Sequence, residues 1–157
     1  MLEDGQKAPD FKLEADDGSS IQLSKFKGQN IVVYFYPKDD TSGCTLEAQD
    51  FTCMAGKFAA ESAKIIGISP DSVASHQKFK AKFDLGVILA ADIDKVAAKA
   101  YGVWAEKSMY GKKYMGIVRS TFLISKTGKI AQSWRKVKVP GHAEEVLAAL
   151  KALQAKG

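Results

Sequence analysis

Cys44 is the residue in this sequence that is best placed to do chemistry. It follows Thr41 and Gly43, and it lies shortly after Pro37, which ends an apolar run. We predict a helix from residue 42 to about residue 60, which puts the cysteine in a first helical turn. The unpaired N–H groups and the positive dipole end of a helix favour an anion there. Because the thiolate is the nucleophilic form of cysteine, this spacing predicts a reactive thiolate.

The neighbours of Cys44 favour this interpretation over the usual one. A lone cysteine is most often an inert, buried apolar residue. Here the adjacent side chains are those of Thr41, Ser42 and Thr45, and the remaining neighbour is Gly43. We expect the Thr41 hydroxyl, one turn before the sulfur, to bond both the thiolate and a bound oxygen.

The elements that must position Cys44 alternate between strand and helix. The run at residues 31–36 is apolar throughout, which is typical of a strand buried on both faces. We predict an N-terminal hairpin (10–14 and 20–23), further strands (64–69, 87–90, 119–125 and 129–135), helices (72–83, 92–101 and 142–154) and an irregular segment (102–116). This order predicts an α/β fold, with a mixed central sheet and helices on both faces. Sites in such sheets form at the carboxyl ends of strands, where Cys44 falls.

Composition limits the remaining possibilities. A length of 157 residues predicts one domain spanning 1–157. Two cysteines make no disulfide framework, and the charged N-terminus lacks a signal core, so we expect a soluble, cytoplasmic protein without a membrane partner. The net charge of +5 is spread along the chain. We interpret it as a solvated lysine surface and expect no nucleic-acid partner.

Residues 37–44 resemble the P-x-x-x-T-x-x-C motif of the peroxiredoxins. The wider segment 35–47 is similar to the bacterioferritin comigratory protein, or peroxiredoxin Q, subfamily. The similarity extends nearly end to end, through segments 5–11, 119–124 and 134–142.

This resemblance implies a thioredoxin-like fold and a thiol-dependent peroxidase that acts on hydrogen peroxide and organic hydroperoxides. It implies that Cys44 cycles between thiolate and sulfenic acid, with Thr41 as hydroxyl donor, Arg119 as guanidinium donor and Pro37 shielding the sulfur. Arginine keeps its proton and offers a fixed fork of donors. The resemblance implies no cofactor, no metal, and a monomer or weak homodimer. Glu47 either orients an arginine or simply solvates the helix.

The sequence departs from the family pattern at the thiol that reduces the sulfenic acid. In many relatives a cysteine lies five residues after the reactive one, but here that position is Gln49. The other thiol, Cys53, lies nine residues from Cys44, or about 13.5 Å along an intact helix and on its opposite face. A disulfide needs Cα atoms within about 7 Å. We therefore predict a one-cysteine cycle with an external reductant: thioredoxin, glutaredoxin or a small thiol.

Alternatives remain open at this stage. Cys53 is a plain helix residue, a resolving thiol after local unfolding, or an intermolecular partner. A redox sensor without turnover and a DNA-shielding role are further possibilities. We expect His76 to face solvent and His142 to be structural, because nothing places either as a base for Cys44. The scattered cysteines and histidines do not resemble a zinc site.

Overall fold

The computed structural model describes residues 2–156, which form a central seven-stranded sheet and a separate two-stranded hairpin. The seven strands lie in the order β2-β1-β5-β4-β3-β8-β9. Their bounds are β1 (Lys12–Ala15), β2 (Ser20–Gln22), β3 (Asn30–Phe35), β4 (Ala63–Ser69), β5 (Ile88–Ala91), β8 (Ser120–Ile124) and β9 (Ile130–Arg135), and the hairpin is β6 (Trp104–Met109) and β7 (Lys112–Ile117). The helices are α1 (Ser42–Cys53), α2 (Ala55–Ala60), α3 (Val73–Phe83), α4 (Val96–Ala100) and α5 (His142–Ala155).

Strand β3 lies inside the sheet and delivers the chain to Cys44. It pairs in parallel with β4 and antiparallel with β8, and all six of its residues are buried. Successive side chains of a strand point to opposite faces. Both faces of β3 are covered, which explains why its sequence is apolar throughout rather than alternating.

Helices cover both faces of the sheet and make one apolar cluster on each. Val32 and Tyr34 of β3 pack on the side that carries α1, α2, α3 and α5. Val33 and Phe35 pack on the other side, where α4 contributes Ala97. The predicted mixed sheet, the helices on both faces and the N-terminal hairpin are confirmed by this arrangement.

The predicted irregular segment at 102–116 is wrong, because β6 and β7 form a regular antiparallel hairpin there. Its two-residue turn, Tyr110 and Gly111, has positive φ at both positions, which is the backbone of the tight turns that join hairpin strands. The glycine at the second turn position was a usable sequence signal for this hairpin. The flanking strands are mostly exposed and lysine-bearing, so the usual alternation of apolar and polar residues is missing.

The predicted single helix from residue 42 to residue 60 is broken at Met54, which separates α1 from α2. The Thr52 hydroxyl donates to the carbonyl of Ala48, a bond that bends helices. Two residues later the Met54 N–H donates to the carbonyl of Phe51, three positions back, so α1 tightens and ends. Leu46, an apolar residue of α1, is 43% exposed.

The helix predicted at 92–101 begins four residues later, as α4. Asp92 is buried, and its two carboxylate oxygens accept from the N–H groups of Ala97 and Ala98. Lys95 adopts the left-handed conformation. The residues that were expected to open the helix therefore form its cap. Within residues 2–156 none of the helices has the length and apolar character needed to cross a bilayer.

Gly67 supplies a test of the packing beside β3. A Cβ atom at this position would lie 2.6 Å from Cζ of Tyr34. That ring is held by stacking on Tyr36 and Phe51, with centroids 5.5 and 4.9 Å away. We expect Gly67→Ala to lower the free energy of unfolding by about 1–3 kcal/mol, measured by urea denaturation.

The matched control is Gly56→Ala in α2, where a Cβ meets nothing within 4 Å. Alanine restricts the unfolded chain more than glycine does, so this variant should be stabilised by up to about 1 kcal/mol. Equal effects of the two substitutions would contradict the close approach of Tyr34 to Gly67.

Candidate active site

Cys44 is the third residue of α1, and its side chain is buried. The first hydrogen bond of the helix joins the N–H of Thr45 to the carbonyl of Thr41. The N–H groups of residues 42–44 therefore precede the helical ladder and contribute the positive end of the helix dipole. The predicted position of Cys44, after the β3 strand and in a first helical turn, is confirmed.

Arg119 reaches Cys44 from the short link between β7 and β8. Its Nη2 donates to the Cys44 sulfur at 3.3 Å. Gly43 makes this approach possible, because a Cβ there would lie 3.2 Å from the same nitrogen. Residues 75 positions apart in the chain thus meet as the resemblance implied.

Glu47 lies one helical turn after Cys44 and holds the other side of the guanidinium. Nη1 of Arg119 donates to Oε1 of Glu47 at 2.6 Å, and the glutamate side chain is 1% exposed. Of the two roles left open for Glu47, orienting an arginine is the one confirmed. Oε2 of Glu47 has no hydrogen-bond partner within residues 2–156.

Burial and charge act in opposite directions at this ion pair. Burial raises the pKa of Glu47 to about 7, while the charge and hydrogen bonds of Arg119 work to lower it. The pKa of Arg119 is raised by Glu47 and by Cys44, against a lowering by its own burial. The guanidinium is therefore a fixed cation between a sulfur and a buried carboxyl group.

Thr41 and Pro37 lie in the segment between β3 and α1. Thr41 is exposed and is the N-cap residue of α1. Its hydroxyl donates to the carbonyl of Lys38 at 2.9 Å, so its one proton is directed away from the sulfur in this arrangement. Pro37 is half-buried.

Cys53 is separated from the Cys44 site. It is the last residue of α1, it is exposed, and both cysteines are free thiols. Since α1 runs unbroken from Ser42 to Cys53, the two Cα atoms are about 13.5 Å apart at 1.5 Å per residue. A Cys44–Cys53 disulfide would require the helix to unwind. Cys53 is not the buried apolar residue that an inert cysteine would be.

His76 does not face solvent, and that prediction is wrong. Its side chain is completely buried, with Nδ1 2.7 Å from Oδ2 of Asp39 and Nε2 3.0 Å from the carbonyl of Ala90. Asp39 belongs to the segment between Pro37 and Cys44. A histidine on α3 and an acidic residue in the loop were the available sequence signals for this contact, but no spacing rule joins residues 37 positions apart.

His142 is buried at the start of α5, and its Nε2 lies 2.8 Å from the hydroxyl of Thr121. Burial lowers the pKa of His142. Its ring packs edge-on against Phe51 and Trp134. These contacts confirm the predicted structural role.

Comparison with known proteins matches residues 5–133 to the AhpC/TSA family. The chain belongs to the AhpC/TSA family. It is 51% identical over 155 residues to peroxiredoxin Bcp of Bacillus subtilis, with 99% of each protein covered. It is 47% identical to peroxiredoxin bcp of Helicobacter pylori strain 26695, over 95% of this chain and 98% of that protein.

Solved structures agree with the sequence relatives. A mutant of PrxQ from Xylella fastidiosa superposes with a TM-score of 0.92 at 41% identity, over 97% of each chain. The bacterioferritin comigratory protein of Xanthomonas campestris, whose alkyl peroxide reduction activity has been studied, superposes with a TM-score of 0.88 at 47% identity, over 92% of each chain. The thioredoxin-like fold and the peroxiredoxin resemblance are confirmed, and the chain is a thiol-dependent peroxidase.

Glu47 generates a pH prediction for stability. Its carboxyl has a pKa of about 7 when folded, against 4.5 for an exposed glutamate. Between these values the folded state binds more protons than the unfolded state, so stability falls as pH rises. Relative to Glu47→Gln, the native protein should lose about 3 kcal/mol between pH 4 and pH 8, measured by urea denaturation at each pH.

The exposed Glu14→Gln serves as control, because its carboxyl lies on β1 in solvent. The free energy of unfolding of Glu14→Gln should depend on pH in the same way as that of the native protein. If the curves of Glu47→Gln and the native protein run parallel, Glu47 is not the group that titrates.

Proposed function

We propose that Cys44 is the peroxidatic nucleophile of this peroxidase and that Arg119 is its principal partner. The observation that carries the proposal is the 3.3 Å contact between Nη2 of Arg119 and the Cys44 sulfur. A permanent cation at this distance can stabilise the negative charge that an attacking sulfur carries. The start of α1 adds the unpaired N–H groups of residues 42–44 on the same side.

We also propose that residues 1–157 form one domain, because both apolar clusters pack on one sheet.

The reaction requires the thiolate to attack one oxygen of the hydroperoxide. The S–O bond forms as the O–O bond breaks, and Cys44 becomes a sulfenic acid. The alkoxide or hydroxide that leaves takes up a proton and departs as alcohol or water. Negative charge moves from sulfur to the leaving oxygen, so donors fixed beside both atoms lower the barrier. Arg119 supplies such donors at the sulfur end.

Thr41 and Pro37 complete the proposed site. The Thr41 hydroxyl donates to Lys38 when no substrate is bound. A rotation about its side chain would redirect that proton to a peroxide oxygen, since a hydroxyl hydrogen rotates to suit its acceptor. Pro37, half-buried before this turn, fixes φ and limits access of water to the sulfur.

Peroxide reaches the site from the side of Arg119. An open cavity of about 500 Å³ lies there, lined by Lys107, Tyr114, Val118 and Lys136 together with Arg119. Its walls combine apolar carbon with three positive side chains, and they also include Glu106 and Ser108. The cavity accommodates an organic hydroperoxide as well as hydrogen peroxide, in keeping with the alkyl peroxide reduction activity of the Xanthomonas campestris relative.

An external thiol completes the cycle in this proposal. It attacks the sulfenic acid of Cys44, a mixed disulfide forms and water leaves. A second thiol then releases Cys44 and carries away the new disulfide. The intact α1 helix between the cysteines supports this one-cysteine route. Thioredoxin, glutaredoxin or a small thiol is the proposed reductant, with the enzyme acting as a monomer or weak homodimer.

Cys53 supports a second candidate route. It is exposed at the end of α1, next to the break at Met54, where the helix is already interrupted. Unwinding of α1 from that end would let Cys53 attack the sulfenic acid and release water. A sensor that uses Cys53 to form a dimer or a mixed disulfide, without turnover, is the third candidate.

Turnover assays with serine variants separate these routes. We expect Cys44→Ser to abolish peroxide consumption with every reductant. We expect Cys53→Ser to keep turnover within about twofold of the native enzyme, because its sulfur lies well beyond disulfide reach of Cys44. Peroxide loss is followed with thioredoxin, glutaredoxin and dithiothreitol in turn.

Mass spectrometry of the native protein after one equivalent of peroxide provides the second readout. The one-cysteine route predicts a sulfenic acid on Cys44 and a free Cys53. Collapse of turnover in Cys53→Ser together with an intramolecular Cys44–Cys53 bond would establish the two-cysteine route instead. A single stoichiometric reaction without turnover would identify a sensor.

Arg119→Lys tests the role of the guanidinium. Lysine keeps the charge but loses the fork that holds the Cys44 sulfur and Glu47 together. We expect the second-order rate constant for oxidation of Cys44 by peroxide to fall by about 100-fold, measured by stopped flow. The matched control is Arg135→Lys, whose guanidinium lies over the Phe122 ring, 5.3 Å from its centroid.

Arg135→Lys should retain the native rate within about threefold, because the variant loses only the packing of the guanidinium on the Phe122 ring. Equal losses in the two lysine variants would show that Arg119 acts through folding rather than at the sulfur.

A further inference from the structure

His76 is a fully buried histidine that takes no part in the contacts among Cys44, Arg119 and Glu47. Its two ring nitrogens face oxygen atoms: Nδ1 is 2.7 Å from Oδ2 of Asp39, and Nε2 is 3.0 Å from the carbonyl of Ala90. A carbonyl only accepts, and so does a carboxylate. Nδ1 of His76 is within hydrogen-bond distance of the buried Asp39 carboxyl, and Nε2 is within that distance of a backbone carbonyl, so the ring is held at both nitrogens.

Asp39 is the centre of a hydrogen-bond network that draws on several elements. Its Oδ1 accepts from the Tyr36 hydroxyl at 2.6 Å, and its Oδ2 accepts from the Ser75 hydroxyl at 2.8 Å as well as facing His76. Its backbone N–H donates to Oδ2 of Asp71 at 2.8 Å. Asp39 is thus fixed through both its side chain and its backbone.

These ligand-type side chains are close enough together to suggest a cation site, since a ring nitrogen of His76 and oxygens of Asp39 and Asp71 lie within 4.8 Å of one another. Protein donors already use those oxygens. The Ser69 hydroxyl donates at 2.6 Å to Oδ2 of Asp71, the same oxygen that accepts from the Asp39 N–H. The cluster is better explained as a hydrogen-bond network that fixes Asp39. We call this network of Tyr36, Asp39, Asp71, Ser75 and His76 the latch.

The latch holds the segment that shapes the active site. Asp39 is 6% exposed, while Lys38, Asp40 and Thr41 on either side of it are exposed to solvent. Asp40 has a φ of 58°, so the chain turns sharply there. Two residues after Asp39, Thr41 caps α1 and its carbonyl accepts the first hydrogen bond of that helix. The side chain of Asp39 is the buried anchor of this turn.

Helix α3 supplies the fixed side of the latch. His76 and Ser75 bind Asp39 from this helix, and Lys82, two turns further on, pairs with Asp40 at 2.8 Å. The pair of Lys82 with Asp40 is largely exposed and contributes little by itself. The buried bond from His76 is the one that cannot be replaced by water.

We propose that His76 is a positioning residue for peroxide reduction, which acts through Asp39 to fix the turn carrying Thr41 and the start of α1. This inference rests on the proposed role of Cys44. The attacking sulfur and the peroxide donors must keep their relative positions to within a fraction of an ångström. Without the donor on Nδ1, the carboxyl group of Asp39 loses its buried hydrogen-bond partner, and the turn shifts toward solvent.

Two amide substitutions separate the two ring nitrogens of His76. The side-chain nitrogen of asparagine occupies the place of Nδ1, so His76→Asn keeps a donor for Asp39 and loses the bond to Ala90. The nitrogen of glutamine occupies the place of Nε2, so His76→Gln keeps the bond to Ala90 and loses the donor for Asp39. Both variants remove an aromatic ring from the same buried position and serve as controls for each other.

The experiment measures the second-order rate constant for oxidation of Cys44 by hydrogen peroxide, together with the thermal unfolding midpoint. His76→Gln should lose about 10- to 100-fold in rate, because small misplacements of reacting groups have effects of this size. His76→Asn should stay within about fivefold of the native rate, the effect of one hydrogen bond. Equal rates in the two variants, or a rate that simply follows the unfolding midpoint, would overturn the proposal.

Ser75→Ala provides the same test without disturbing the buried ring. It removes the second donor to Oδ2 of Asp39, and a fall of about three- to tenfold in the oxidation rate is expected. A native rate in this variant would count against the latch. Cys44→Ser tests the proposed function separately: if it still reacts with peroxide, the role of Cys44 fails, whereas an inert Cys44→Ser beside an unaffected His76→Gln rejects only the latch.

Discussion

The partly buried guanidinium of Arg119 is the constraint on which the rest of the site depends. It touches the sulfur of Cys44 on one side and the carboxyl of Glu47 on the other. A buried charge is expensive unless it is paired and hydrogen-bonded. Glu47 provides that pairing from the same helix as Cys44, one turn away. The geometry of α1 therefore holds the guanidinium at a fixed distance from the sulfur. Nη1 is occupied by Glu47, and Nη2 remains available to the sulfur and to the oxygen that it attacks.

The backbone of α1 has two requirements that oppose each other. Its first turn must stay in place, because the N–H groups there and Arg119 together favour negative charge at Cys44. Recovery through Cys53, in contrast, would need the same helix to unwind. The contacts favour order at the beginning, where Asp39 is anchored to α3, and interruption at the end, where Met54 separates α1 from α2. An external reductant avoids the conflict altogether.

Local pattern was sufficient for much of the fold and insufficient at specific places. The continuous apolar run of β3 and the Pro37–Cys44 motif predicted a buried strand that leads into a helix with Cys44 in its first turn, as observed. The β6–β7 hairpin was not predicted because its strands are exposed and carry no apolar alternation. His76 was assigned to solvent because its neighbours on α3 are polar. Its burial follows from where β5 and the Asp39 turn pack, which the α3 sequence does not encode.

The sequence by itself determined that Cys44 begins a helix after a buried strand, that the chain follows an alternating order of strands and helices, and that Cys53 cannot meet Cys44 across an intact helix. These properties depend on neighbours within a few residues, where periodicity and helix geometry apply. Only the tertiary structure decided that Glu47 holds Arg119 and that His76 holds Asp39. Each of these pairs joins residues far apart in the chain, and each is stable only because surrounding elements exclude the water that would otherwise compete for its hydrogen bonds.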